Sequence, residues 1–283
     1  MSLREGPDDA MAALADTATS EGPDRPDAVL ELRGLGQRYG GNQVLSDISF
    51  ALRRGELLAI IGPNGAGKTT LFNCITGVSR PKAGAVLLGG NDITGWRPSA
   101  IVRAGIARTF QHLALFESMT VRENLLMGRR HAMHPGTIST TLLPLRARRE
   151  DAENREVVAD LMNRFGLARV ADKLAGTLPH GVGKVLELAR AVAMEPSVIL
   201  LDEPAAGLNP EESVELAEHL RAIRSERPDL AILLIEHDMP VVLTLADRVV
   251  VLNFGREVAI GTPAEIQQDQ RVIDAYLGRR SDA

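Results

Sequence analysis

Short apolar runs recur along the chain, and in its second half they alternate with amphipathic stretches of helical spacing. The earliest, Val29–Leu32 and Ile48–Leu52, are set apart by Gly40–Gly41 and closed by Arg53–Arg54–Gly55, which predicts strands joined by turns. Leu57–Ile61 is apolar throughout and predicts a third strand, and Thr69–Ile75 follows with helical spacing. Ala85–Leu88 before Gly89–Gly90 reads as a hairpin arm, Pro98–Ala104 as a helix, and Ile106–Gln111 as a short strand ending on a polar amide. A mostly helical region comes next, with Val121–Leu126 and Arg148–Phe165; the second carries Val157, Val158, Leu161, Met162 and Phe165 on one stripe. Alternation resumes with helix Leu186–Ala193, buried strand Val198–Leu201, helix Pro210–Ser225, buried strand Ala231–Ile235 and strand Val249–Leu252. Gly255–Gly261 reads as a turn region, and an amphipathic helix through Ile266, Ile273, Tyr276 and Leu277 closes the pattern.

Between the strand at 57–61 and its helix lies Gly62–Pro63–Asn64–Gly65–Ala66–Gly67–Lys68–Thr69–Thr70, which fits the phosphate-binding pattern G-x-x-x-x-G-K-[S/T] in the strand–loop–helix setting it requires. Glycines let the backbone curl so that successive N–H groups and the positive end of a helix face one anion. Lys68 would reach the β- and γ-phosphates and the Thr69 hydroxyl would coordinate Mg²⁺. The strand at 198–201 ends in Asp202–Glu203, two acids suited to holding Mg²⁺ through water and to polarising an attacking water. His237 follows the strand at 231–235, at the end where open parallel sheets place ligands. Tyr39, on a Gly-flanked break in a chain with one Trp, two Tyr and six Phe, either stacks on adenine or packs under a strand edge. The stretch 129–149 mixes basic residues, Pro135–Gly136 and Leu142–Leu145; it is either an insertion facing a partner or membrane, or a solvated surface excursion.

Composition narrows the picture. In 283 residues, 45% hydrophobic content is enough for a sizeable core. A net charge of −5 gives no general basic face, so nucleic acid is not an expected partner. The single cysteine, Cys74, reads as a small core residue and allows no disulfide within the chain. No run of about 18 apolar residues suggests a membrane span and the first residues lack a signal-peptide core, so the protein is expected in the cytoplasm. Residues 1–28, rich in Asp, Glu, Ala, Gly and Pro, read as a disordered acidic tail.

A phosphate loop, a Gln-ended strand, a helical segment, Leu200–Leu201–Asp202–Glu203–Pro204 and a later strand ending before His237, in that order, resemble the ATP-binding subunit of an ABC transporter. The resemblance implies an α/β P-loop NTPase fold with a mostly parallel core sheet, an antiparallel β subdomain and an α-helical subdomain. It also implies a single domain over 29–278, with the helical subdomain at about 111–185, an insertion at about 129–149, a C-terminal helix at 264–277 and a tail at 279–283. By position it implies Tyr39 as the adenine-stacking aromatic and 62–70 as the phosphate loop. Gln111 is implied as the amide sensing Mg²⁺ and the membrane partner, Asp202 as the metal acid, Glu203 as the catalytic acid, and His237 as the γ-phosphate contact. Ala107–Gln111, Leu115–Phe116, Thr120–Leu125, Glu203–Pro210, Gly261–Thr262–Pro263 and Ala275–Gly278 are similar to the larger ATPase subunit of branched-chain amino acid importers. The expected partners are integral membrane permease subunits, a second ATP-binding subunit (a copy or a paralogue) and a solute-binding protein. The expected place is peripheral, on the cytoplasmic face of the inner membrane. Urea importers of the same branch share much of this wording, and a soluble ABC ATPase of DNA repair or translation is a rival class, disfavoured by the single nucleotide unit and the acidic charge balance.

Two departures stand out. The family loop that reaches another subunit's γ-phosphate usually reads L-S-G-G-Q; here it is Leu178–Pro179–His180–Gly181–Val182–Gly183. Pro179 supplies neither hydroxyl nor N–H. Gly181 and Gly183 are expected to offer N–H groups at a helix start, giving a weakened contact across the dimer. Asn209 stands where many relatives have Asp.

Overall fold

A computed structural model describes residues 27–109, 114–132 and 144–277, with the side chains of 130–150 and of 277 excepted. Most of the expected acidic tail, the terminal tail 279–283, Gln111, and residues 133–143 of the expected insertion lie outside the described residues.

Strands β1 (Ala28–Tyr39) and β2 (Asn42–Arg53) form a hairpin through Gly40–Gly41. They are far longer than the apolar runs that predict them, because register shifts near Leu32, Leu35 and Gln37 interrupt the alternation on which a sequence reading relies. With β4 (Ala83–Leu88) and β5 (Asn91–Asp92) they make a four-stranded antiparallel sheet ordered β2-β1-β4-β5. β3 (Leu57–Ile61) leaves this layer for a second sheet and leads into α1 (Lys68–Ile75). α2 (Pro98–Arg103), β6 (Ile106–Arg108), α3 (Val121–Ala132) and α4 (Pro144–Arg164) follow, so helix extends into both ends of the stretch 129–149. α5 (His180–Ala193), β7 (Val198–Asp202), α6 (Pro210–Glu226), β8 (Ala231–Ile235), α7 (Met239–Leu245) and β9 (Arg248–Asn253) continue the alternation.

Two readings are corrected at the end. The supposed turn region holds strand β10 (Arg256–Gly261), an edge strand antiparallel to β9 in which Ala259 is the one buried residue. The single closing helix is two, α8 (Pro263–Gln268) and α9 (Gln270–Leu277). Asp269 divides them: its backbone is extended, and its carboxylate accepts the Arg271 N–H at 2.8 Å and so caps the second helix.

The second sheet is ordered β10-β9-β3-β8-β7-β6, parallel except for β10. Every residue of β3, β7 and β8 is buried, which explains their unbroken apolar runs. The pleat sends alternate side chains to opposite layers. Ala231, Leu233 and Ile235 of β8 join Leu58 and Ile60, α1 and the antiparallel sheet in one core. Ile232 and Leu234 join Ile199, Leu201 and the inner faces of α3 to α6 in another. A third core packs Ala59, Ile61, Val249 and Val251 beneath α7, α8 and α9.

Because the strands are parallel, their carboxyl ends share one edge. Ile60 pairs with Ile235, and Ile235 with Asp202, so the segments leaving β3, β7 and β8 emerge side by side. The sheet gathers residues 62–70, 202–203 and 236–238 at that edge from three distant parts of the chain.

Candidate nucleotide site

The loop after β3 is shaped by glycines with little alternative. Gly62 has φ +150°, and a Cβ there would sit 2.1 Å from the Leu252 carbonyl oxygen. Gly67 has φ +102°, and a Cβ would meet Leu45 Cδ2 at 2.7 Å. Asn64 and Gly65 form the exposed tip, with Pro63 half-buried and Ala66 buried. Gly255 N–H donates to the Ala66 carbonyl at 3.1 Å, tying the β9–β10 turn to the loop. Gly67 caps α1, and its carbonyl accepts the Leu71 N–H at 2.9 Å. The N–H groups of Lys68, Thr69 and Thr70 precede the first bond of the helix and point toward its amino end.

Lys68 is 7% exposed, and its ammonium donates to the carbonyls of Gly62 at 2.6 Å and Pro63 at 3.2 Å. Burial lowers its pKa, while Glu203 and then Asp202 oppose the shift. The cation is thus held at the loop within electrostatic reach of both acids, where a phosphate would relieve its desolvation. Thr69 is exposed in the first turn of α1, and Thr70 is half-buried.

Asp202 is 3% exposed, and Oδ2 accepts from Arg108 Nη2 at 2.8 Å. Arg108 also donates to Asn73 Oδ1 at 2.8 Å and Thr76 Oγ1 at 3.2 Å, and its guanidinium lies 5.4 Å from the Phe72 ring centroid. Nothing in the sequence alone gives Arg108 a role. The one available signal was a cation ending a strand that feeds the same edge.

Glu203 sits in the left-handed region at φ +48°, a sparsely populated conformation for a residue with a side chain. Its N–H donates to the Ile235 carbonyl at 2.9 Å. His237 is largely exposed at the end of β8, and its N–H donates to Glu236 Oε2 at 2.9 Å. Tyr39 is half exposed at the tip of the first hairpin, with its hydroxyl 3.0 Å from Ser79 Oγ.

Gly181 belongs to a separate element, α5. It is buried in the first turn of α5, where a Cβ would meet Glu212 Oε1 at 2.4 Å. The neighbouring His180 places Nε2 3.3 Å from the Ala206 carbonyl oxygen, beside the loop that follows Glu203. Pro179 is the residue capping α5, and its carbonyl accepts the Gly183 N–H at 3.0 Å. Gly183 is therefore not the free donor that the sequence suggested: its N–H is the first of the helical ladder. Asn209 and Glu212 form a reciprocal capping box at the start of α6, with both bonds at 2.9 Å.

The donor types fit Mg²⁺ with a nucleotide. Thr69 and Asp202 supply hard oxygen atoms, too few for a closed protein cage, and Mg²⁺ keeps waters and substrate phosphates in its shell. Among the described residues no group of three or more His, Cys, Asp or Glu could hold a metal alone.

A family model described as ABC transporter matches residues 45–206, more than half of the chain and spanning every element from β2 to the turn after Glu203. The chain belongs to the ABC transporter family. A second model, described as branched-chain amino acid ATP-binding cassette transporter, matches residues 256–282. This ABC ATPase is 42% identical over 250 residues to the high-affinity branched-chain amino acid transport ATP-binding protein LivG of Escherichia coli (strain K12), covering 88% of the chain and 98% of LivG. It is 40% identical to the corresponding protein BraF of Pseudomonas aeruginosa, with the same coverage. A nucleotide-free ATP-binding cassette from an ABC transporter superposes with a TM-score of 0.76 at 29% identity, covering 88% of this chain and 98% of that one. For cbiO1 from Clostridium perfringens, part of the transporter complex cbiONQ, the TM-score is 0.73 at 30% identity, covering 90% and 96%.

Proposed function

We propose that this ABC ATPase powers the import of branched-chain amino acids through membrane permease subunits. The observation that carries the chemical half is the convergence of Lys68, Asp202 and Glu203 at one sheet edge, with the lysine held by loop carbonyls. The solute rests on LivG and BraF, whose names specify branched-chain amino acid transport.

In this reading ATP exchanges its phosphates for the carbonyl contacts of Lys68, and the amino end of α1 supplies N–H groups to the same anion. Mg²⁺, held by the Thr69 hydroxyl and Asp202, would supply charge neutralisation at the β- and γ-phosphates. Glu203 accepts a proton from the attacking water and orients it, and His237 contacts the γ-phosphate. Tyr39 offers its exposed ring to adenine. Gln111, outside the described residues, is assigned by resemblance to the Mg²⁺ shell and to the link with the permease.

By resemblance, the loop around Gly181 serves the nucleotide of a second ATP-binding subunit, a copy or a paralogue, and each subunit completes the other's site. The first-turn N–H groups of α5 that precede Gly183 are the donors this surface can offer it. A solute-binding protein delivers the amino acid from the far side. No helix among the described residues is long and apolar enough to cross a membrane, and the subunit works at the cytoplasmic membrane face by binding the permease.

Glu203→Gln tests the chemical assignment. ATP binding should persist while turnover falls by about 10²-fold or more, the scale of a lost general base. Turnover at the parental rate would remove Glu203 from the mechanism.

A further inference from the structure

Glu236 is completely buried, immediately after β8, and the reading above gives it no task. Its carboxylate accepts from two loops at once. Oε1 takes the Ala205 N–H at 2.9 Å; Oε2 takes the N–H groups of His237 at 2.9 Å and Asp238 at 3.3 Å. Ala205 lies two residues beyond Glu203, so one side chain joins the turn that carries the acid to the loop that carries the histidine.

The join matters because of the backbone it holds. A residue with a side chain at φ +48° persists only where its surroundings over-determine it, and such residues cluster at functional sites. Among the described residues, the Glu203 backbone is held by its N–H on the Ile235 carbonyl at 2.9 Å and by its carbonyl accepting from Ala206 at 3.1 Å. The first fixes the entry to the turn and the second is internal to it. The Glu236–Ala205 bond fixes the far side to a neighbouring strand.

We infer that Glu236 is a positioning residue for ATP hydrolysis: its buried carboxylate locks the turn bearing Glu203 against the loop bearing His237, so that both keep a fixed relation to the γ-phosphate. This rests on the roles proposed above for those two residues. A carboxylate is needed because N–H donors approach both oxygen atoms. An amide at this position would turn its NH₂ against either Ala205 or the His237–Asp238 pair. An aspartate, one methylene shorter, can still serve its own loop but gives up the reach to Ala205.

The test compares Glu236→Gln, Glu236→Asp, Glu203→Gln and the double variant Glu203→Gln/Glu236→Gln in steady-state ATP turnover and equilibrium ATP binding. Both Glu236 variants should lose at least about tenfold in kcat, the scale of one charge-assisted hydrogen bond. Their KM and Kd for ATP should stay within about twofold, because the phosphate loop hangs from β3 and not from this tether. The double variant should lose clearly less than the product of the two single effects, since Glu236 acts in part through Glu203. Parental kcat in both Glu236 variants would overturn the inference. So would a double variant that loses the full product of the two effects, or ATP affinity falling in step with kcat in both variants, which would make Glu236 a residue of the fold alone. Parental turnover in Glu203→Gln would instead sink the catalytic reading beneath it.

Discussion

Arg108→Met is expected to unfold the chain more readily than any change to an exposed ion pair. Arg108 and Asp202 have side chains 8% and 3% exposed and meet at 2.8 Å, so the pair sits in a poorly solvated environment. Methionine keeps an aliphatic stem of similar length, but it removes the guanidinium from the Phe72 ring and from Asp202, Asn73 and Thr76 together. Asp202 then carries a buried charge that has lost its direct partner, with Lys68 acting on it only through space. Breaking a buried pair in this way costs about 3–5 kcal/mol, against about 0–1 kcal/mol for an exposed pair. With a urea dependence of about 2 kcal/mol per molar, the nucleotide-free protein should lose about 1.5 M or more from its unfolding midpoint. The double change Arg108→Met/Asp202→Asn removes the stranded charge and should recover about 1–2 kcal/mol of the loss. Urea titration followed by far-ultraviolet circular dichroism measures the parent, Arg108→Met, Asp202→Asn and the double variant under one condition. A loss below about 1 kcal/mol for Arg108→Met, or a double variant showing the plain sum of the single losses, would refute the claim that this pair is buried and coupled.

Two further outcomes follow from the loop and the helix behind it. Gly62→Ala should reduce stability and ATP affinity more than Gly65→Ala, because a Cβ at 62 meets the Leu252 carbonyl oxygen at 2.1 Å while one at 65 meets nothing within 4 Å. At 65 only the left-handed backbone opposes alanine, a cost of about 1–2 kcal/mol, so calorimetry showing the reverse order would contradict the geometry. Burial pushes the Cys74 thiol up to about 11 from its ordinary 9.0, so native protein at pH 8 should resist alkylation that the urea-unfolded chain undergoes readily. With the folded value raised, this stabilisation is complete below pH 9 and is lost as pH climbs toward 11, a difference of about 3 kcal/mol that Cys74→Ala should abolish in alkaline unfolding curves.

The loop at 62–70 is legible because its pattern is local: glycines, lysine and threonine stand within nine residues of one another, between a strand and a helix that announce themselves by pattern. The buried strands β7 and β8 were equally plain, since burial on both faces leaves no polar positions to interrupt them. What escaped depends on tertiary placement. Arg108 finds Asp202 ninety-four residues away because β6 and β7 are parallel neighbours, and no spacing rule reports that. Glu236 is one of three polar residues in a row after β8, and its role appears only once the turn after β7 comes within 2.9 Å. β10 reads as a turn from its sequence because an edge strand buries little, and Arg256 and Glu257 hide its period. The Gly183 N–H was misjudged because identifying a helix start does not say which of its first donors the ladder already uses.

The central claim is that ATP hydrolysis by this subunit drives branched-chain amino acid import. It is tested most directly by reconstituting the subunit with its permease partners in proteoliposomes and measuring uptake of labelled leucine, isoleucine and valine with and without ATP. Uptake should require ATP on the side where this subunit is bound, should be competed by the other two amino acids, and should vanish with Glu203→Gln. A complex that hydrolyses ATP yet moves none of the three, or that moves them equally well with Glu203→Gln, would contradict it.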